Sequence, residues 1–177
     1  MLLPIAELNG GLVVESRESS SILHISRGEI VDLGPGRLGA AGPSGAVLIQ
    51  DGGLWFYESG TDGKVLLANE LPTPTLAQTY GAGAINPAGT EAALLFADEH
   101  TDEGSTLLIA DLDAANSTRQ VALPAPRSTR IDWLDDQHLL ASGSMGSGST
   151  HLVNATTMSV EAGPIVPEGA QLYVTRT

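Results

Sequence analysis

Apolar residues along this chain come in short runs of about 4–7, and turn-forming residues interrupt them about every 8–12 positions. No 12-residue window carries apolar residues at the 3.6-residue spacing of an amphipathic helix. Short runs bounded by Gly, Pro, Asn, Asp and Ser predict β-strands throughout. Some runs, such as Ala92-Ala93-Leu94-Leu95-Phe96 and Leu107-Leu108-Ile109, are continuously apolar. Continuous runs belong to strands covered on both faces. Others, such as Thr118-Arg119-Gln120-Val121-Ala122-Leu123, alternate as half-exposed edge strands do.

The runs repeat. Turns at Asn9-Gly10-Gly11, Gly42-Pro43-Ser44-Gly45, Asn86-Pro87-Ala88-Gly89 and Trp133-Leu134-Asp135-Asp136 each lead into an apolar strand, at 12–14, 46–49, 92–96 and 138–141. A loop and a second strand follow, at 22–25, 54–57, 107–110 and 151–153, and then a polar turn and a third strand, at 29–33, 64–68, 118–123 and 157–160. A short extended stretch precedes each turn, at 2–7, 37–40, 80–85 and 130–133. Gly45 and Gly89 lie 44 positions apart, and Gly89 and Asp136 lie 47 apart, with a shorter first unit. Four-stranded units of about 40–45 residues are propeller blades. The prediction is an all-β chain of one domain, residues 1–177, with four antiparallel blades at 2–36, 37–79, 80–128 and 129–162. The run Gln171-Leu172-Tyr173-Val174-Thr175-Arg176 is left over as an extra strand at 171–176. The array is therefore a four-bladed ring, an open partial ring, or part of a longer propeller. Neither end shows, in sequence, the polar outer face of a capped array.

Two motifs carry a family resemblance. Asn86-Pro87-Ala88-Gly89-Thr90-Glu91 before an apolar strand, and then Leu107-Leu108-Ile109-Ala110-Asp111-Leu112-Asp113, resemble the repeat of TolB-like propellers. In that family a Ser/Asn-Pro-Asp-Gly turn precedes one strand, and an apolar run ending in Asp-Leu-Asp forms another. The resemblance covers residues 80–123 best, and Ser44 and Ala88 stand where the family turn has Asp. The Gly-His and Trp-Asp signatures of WD repeats are missing. The resemblance implies a propeller fold and a binding role, and it brings no catalytic residue.

Charge narrows the partners. The chain of 177 residues has a net charge of −13, with Lys64 as its one lysine. A field of that sign repels phosphate backbones, so nucleic acid is not an expected partner. No run approaches 18 apolar residues, so no membrane-inserted segment is expected. With no cysteine, thiolate metal sites and thiol nucleophiles are excluded. The first residues, Met1-Leu2-Leu3-Pro4-Ile5-Ala6-Glu7, lack a basic start and a long apolar core, so they do not read as a signal peptide. An extracytoplasmic bacterial setting, periplasmic or cell-envelope, is favoured over the cytoplasm, in line with lipoprotein-associated propellers of the family it resembles.

Candidate chemistry is sparse. Asp98, His100 and Asp102 alternate in a loop and are the weak candidates for a calcium site. Gly104 falls one place late for the calcium-loop turn, and Ile109 stands where the closing carboxylate belongs, so a solvated hairpin tip is the favoured reading. His24, His100, His138 and His151 form no metal-ligand spacing. His24 and His151 occupy equivalent second strands, which points to repeat-derived core or channel-lining positions. Gly143-Ser144-Met145-Gly146-Ser147-Gly148-Ser149 lacks the lysine and helix of a phosphate loop. The pairs Asp111/Asp113 and Asp135/Asp136 sit at turns, where Asp caps its own backbone. Trp55 and Tyr57 are the best anchors for a partner at a blade rim. The sequence thus predicts a non-enzymatic binding or scaffold module with a protein partner, no cofactor, and a homo-oligomeric or longer-propeller context. The alternatives are the gating propeller of a larger hydrolase, such as a prolyl-oligopeptidase-like peptidase, and a free-standing enzyme on a β scaffold.

Overall fold

Turns made by their own side chains start the fold. In the turn 86–90, buried Asn86 accepts hydrogen bonds from the backbone N–H of Thr90 (2.8 Å) and Glu91 (3.1 Å) and donates to the Thr90 hydroxyl. Gly89 then takes the left-handed conformation, φ 75°, that this turn demands. The sequence turn Asp51-Gly52 has φ of 51° and 77°, the two-residue hairpin geometry whose twist matches the strands it joins.

The computed structural model describes residues 2–8, 11–16, 21–26, 29–61, 63–72, 83–97, 103–125, 127–143 and 148–167. They form four four-stranded antiparallel sheets and, among the described residues, no helix. The first sheet is β1 (Leu2–Leu8), β2 (Gly11–Ser16), β3 (Ser21–Ser26) and β4 (Glu29–Pro35). The second is β5 (Arg37–Gly42), β6 (Gly45–Gln50), β7 (Gly53–Glu58) and β8 (Lys64–Ala68). The third is β9 (Gly83–Ile85), β10 (Glu91–Phe96), β11 (Ser105–Asp111) and β12 (Thr118–Leu123). The fourth is β13 (Ser128–Trp133), β14 (His138–Gly143), β15 (Thr150–Asn154) and β16 (Ser159–Ala162). Strand order follows chain order in every sheet. The chain is an all-β, propeller-type array of four-stranded blades. The expected strand at 171–176 lies outside the described residues.

The first strand of each sheet is its inner strand: β1 lies beside β5, β5 beside β9, and β9 beside β13. Among the described residues β13 makes no comparable approach to β1, so these contacts form an open row. Glycine permits the closest approach. A Cβ on Gly83 of β9 would collide with the Gly39 carbonyl of β5, so these two backbones meet with nothing between them.

Each pair of neighbouring sheets shares a core. Val13 and Ile22 of the first sheet meet Ala46 and Leu48 of the second. Val47, Leu54 and Phe56 meet Leu94, Phe96 and Leu108 of the third. Leu95, Leu107 and Ile109 then meet Ile131, Trp133, Leu139 and Val153 of the fourth. Consecutive residues of β10 therefore pack in opposite directions, which is why 92–96 carries no polar position. Polar links tie the sheets as well. The Trp133 indole donates to the Ala84 carbonyl (3.0 Å), and the Ser105 hydroxyl both donates to the Ser128 carbonyl (3.0 Å) and accepts from its N–H (2.9 Å).

The outer sides of the first and fourth sheets differ. By register, the side of the fourth sheet turned away from the third carries Arg130, Asp132, His138, Thr150 and Asn154 alongside Leu140 and Leu152. The tail 163–167 runs on beside β15, where the Gly163 N–H donates to the Thr150 carbonyl (2.8 Å), the Val166 N–H to the Gly148 carbonyl (3.0 Å) and Thr150 Oγ1 to the Pro164 carbonyl (2.6 Å). The corresponding side of the first sheet carries Val14, Leu23, Ile25 and Ile30, and Ile30 is 64% exposed.

Candidate functional site

Strand β7, Gly53–Glu58, alternates across its sheet. Leu54 and Phe56 enter the core shared with the third sheet, which leaves Trp55 and Tyr57 on the side facing the first. Both aromatics are half-buried. The Tyr57 hydroxyl reaches two acceptors, Gln50 Oε1 at 2.8 Å and the Leu33 carbonyl of β4 at 2.9 Å. Having one proton, it serves one at a time. Gln50, itself buried, donates to the Leu33 (2.8 Å) and Pro35 (3.0 Å) carbonyls. This network fixes the Tyr57 ring and ties the first sheet to the second. Lys64 lies opposite Tyr57 in the β7–β8 register. Its Nζ sits 4.5 Å from the centre of the Trp55 ring and 5.8 Å from that of Tyr57, within cation–π reach. The rim of the second sheet thus presents an aromatic shelf with an exposed ammonium on it.

A second polar constellation lies at the turn end of the fourth sheet. Asp135 Oδ1 accepts from the N–H groups of Gln137 (2.7 Å) and His138 (2.8 Å), and both its carboxylate oxygens lie 3.0 Å from His138 Nδ1. The backbone bond from Gln137, and then the His138 side chain, hold the Asp135 carboxyl below the ordinary aspartate range. His138 Nε2 faces the Asn154 amide nitrogen at 3.3 Å, and Asn154 Oδ1 caps the N–H of Thr157 at 2.9 Å. An Asp–His pair is the orienting half of a nucleophilic relay. Here the ring's second nitrogen meets an amide that caps a turn, so the array reads as a hairpin lock.

The remaining sequence-derived candidates fall as follows. Asp98, His100 and Asp102 lie outside the described residues. No group of three or more His, Asp or Glu with metal-binding geometry occurs among the described residues. His24 shares the face of Ile22 and Val13, toward the second sheet, while His151 shares the face of Val153, toward the third. Equivalent in sequence, the two histidines address different interfaces. His151 is buried, and its Nε2 has no hydrogen-bond partner among the described residues. Asp111 caps the N–H of Asp113 (2.9 Å), whereas Asp136 reaches across to the N–H of Ala88 in the third sheet (2.7 Å). Two contributors to the sites carry no site signal in the sequence. Lys64 was legible as the single lysine, but its seat on Trp55 depends on the β7–β8 register. Gln50 carried no signal beyond being polar at the end of an apolar run.

No protein-family model and no curated protein sequence matches the chain. Among solved structures, the crystal structure of the tricorn protease superposes with a TM-score of 0.47 at 10% sequence identity, covering 86% of this chain and 15% of that chain. The chain therefore spans about 15% of the length of that protein.

Proposed function

We propose that this chain is a non-catalytic binding or scaffold module built on TolB-like propeller repeats, and that it engages a protein or ligand partner through the rim of its second sheet. The observation that carries the reading is the shelf formed by Trp55, Tyr57 and Lys64. A half-exposed tryptophan whose surroundings are already ordered offers contact area at low entropic cost, the mark of a binding anchor. The Gln50–Tyr57–Leu33 network supplies that order. Asn86 and the turn it builds support the TolB-like reading, because that side chain satisfies the backbone the family turn exposes. The Asp135–His138 pair fits a structural role, since both partners are occupied in capping and in the contact with Asn154.

The test pairs recognition with turnover. A defined peptide and small-molecule array is probed with the wild-type chain and with Trp55→Ala, and the same samples are assayed on ester, peptide and glycoside substrates. Ligands retained by wild type and weakened at least tenfold by Trp55→Ala, a hot-spot effect of about 1.4 kcal/mol or more, are expected. Turnover that copurifies with the chain and disappears in His138→Ala would overturn the proposal.

A further inference from the structure

The single lysine of the chain pairs with no carboxylate among the described residues. In a protein of net charge −13 an ammonium is drawn toward acidic side chains. Yet Lys64 makes no ion pair with a described residue and rests on the Trp55 ring instead. The ring lies on one side of the ammonium, and Lys64 is otherwise exposed. Beside it, the Trp55 indole N–H has no acceptor among the described residues, whereas the Trp133 indole donates to Ala84. Two donors without acceptors among the described residues, one of them charged, therefore belong to one shelf, whose second ring is pinned by the Tyr57 hydroxyl. Val31 of β4, 47% exposed and on the face turned toward the second sheet, adds apolar surface on that side.

The charge balance selects the ligand. One ammonium offsets one negative charge, and the surrounding acidic field opposes any more. Dianionic phosphate and polyanions are disfavoured on that ground. A carboxylate brings one charge and two acceptor oxygens, enough to engage both donors. The exposed part of the Trp55 ring and the neighbouring apolar surface suit a hydrophobic body attached to it. We infer that the Lys64–Trp55–Tyr57 shelf binds a monocarboxylate carried on an apolar or aromatic body, in which the carboxylate takes the Lys64 ammonium and the Trp55 N–H. The inference rests on the reading of this rim as the binding surface and names the chemistry it selects.

Nuclear magnetic resonance of the two tryptophan indole N–H groups tests it on the intact chain. Trp133, buried and hydrogen-bonded, serves as the internal reference. The probes are N-acetyl-phenylalanine, its uncharged amide, inorganic phosphate, and a short peptide with a free C-terminal phenylalanine. Saturable movement of the Trp55 signal by the acid, with the amide and phosphate at least tenfold weaker, is expected. Lys64→Met should abolish the titration, and Lys64→Arg should retain it, with an unmoved Trp133 signal reporting the native fold in both. Tighter binding of the peptide than of N-acetyl-phenylalanine assigns the carboxylate to a chain terminus, and equal binding assigns it to a small molecule. Equal affinity for acid and amide, phosphate binding as tight as the acid, an unchanged titration in Lys64→Met, or a Trp55 signal that neither acid probe moves would overturn the inference. A ligand from the array that depends on Trp55 but binds as acid and amide alike would leave the binding role standing and sink only the carboxylate.

Discussion

The first and fourth sheets are built on the same four-strand plan, yet their outer sides differ. On its side away from the third, the fourth sheet carries the Arg130–Asp132 ion pair, His138, Asn154 and Thr150, and the tail 163–167 runs on beside β15. On the side of the first sheet away from the second, the register lines up Val14, Leu23, Ile25 and Ile30. Polar groups hydrogen-bonded to one another tolerate an end position, because water and local partners satisfy them. The apolar side of the first sheet is covered in part, since Val14 is buried and Leu23 and Ile25 are half-buried, and Ile30 is the residue left 64% exposed and favoured to find further cover. A repeated blade therefore specifies its own folding but not its own ending. The residues on the outer face of a blade decide whether it favours water or another surface.

The largest expected effect lies between the sheets rather than at either end. Leu95 is fully buried between the third and fourth sheets, and Leu95→Ala should cost about 2–5 kcal/mol, read as a lowered denaturant midpoint. A loss comparable with that of a surface substitution would mean that these sheets do not share a core.

Tyr57→Phe should come next, at about 1–3 kcal/mol, because it strips a donor from Gln50 Oε1 in a half-buried network. Hydrogen exchange should quicken in β3 and β4 while β13–β16 stay unchanged. Uniform quickening would show that the first sheet is no more separable than the fourth.

The comparison of ends is addressed by Ile30→Lys against Glu161→Ile. Both positions are exposed, so each should change stability by no more than about 0.5 kcal/mol. Self-association measured by light scattering should fall in Ile30→Lys and rise in Glu161→Ile. The reverse order would mean that the apolar end is not the adhesive one.

The smallest effect is that of pH on the fourth sheet's lock. The folded Asp135 carboxyl titrates below its ordinary value of about 3.9, so its stabilisation is present above that value and fades as the pH falls through the depressed one. Asp135→Asn should lower the melting temperature slightly at neutral pH and converge with wild type in strong acid. A gap that widens on acidification would reverse the assignment.

The sixteen strands were legible because turn chemistry and short apolar runs are local properties. Asn86-Pro87-Ala88-Gly89 predicts its turn from side-chain capping alone, and 92–96 predicts a strand covered on both faces. The hairpin at Asp51-Gly52 was equally legible from its left-handed residue pair but is easily passed over between two apolar runs. Trp55 and Tyr57 could be picked out as rim aromatics, since period-two alternation sets them together on one face of β7. Which sheet that face meets, the seat of Lys64 on the Trp55 ring, the reach of Gln50 to the Leu33 and Pro35 carbonyls, and the bond from Ala88 to Asp136 depend on residues up to 48 positions apart. The sequence by itself determined strand, turn and repeat, because those follow from side chains within a few positions of one another. The tertiary structure decided the direction each face looks and the polarity of each end, because a strand apolar on both sides contains no information about which neighbour lies on which.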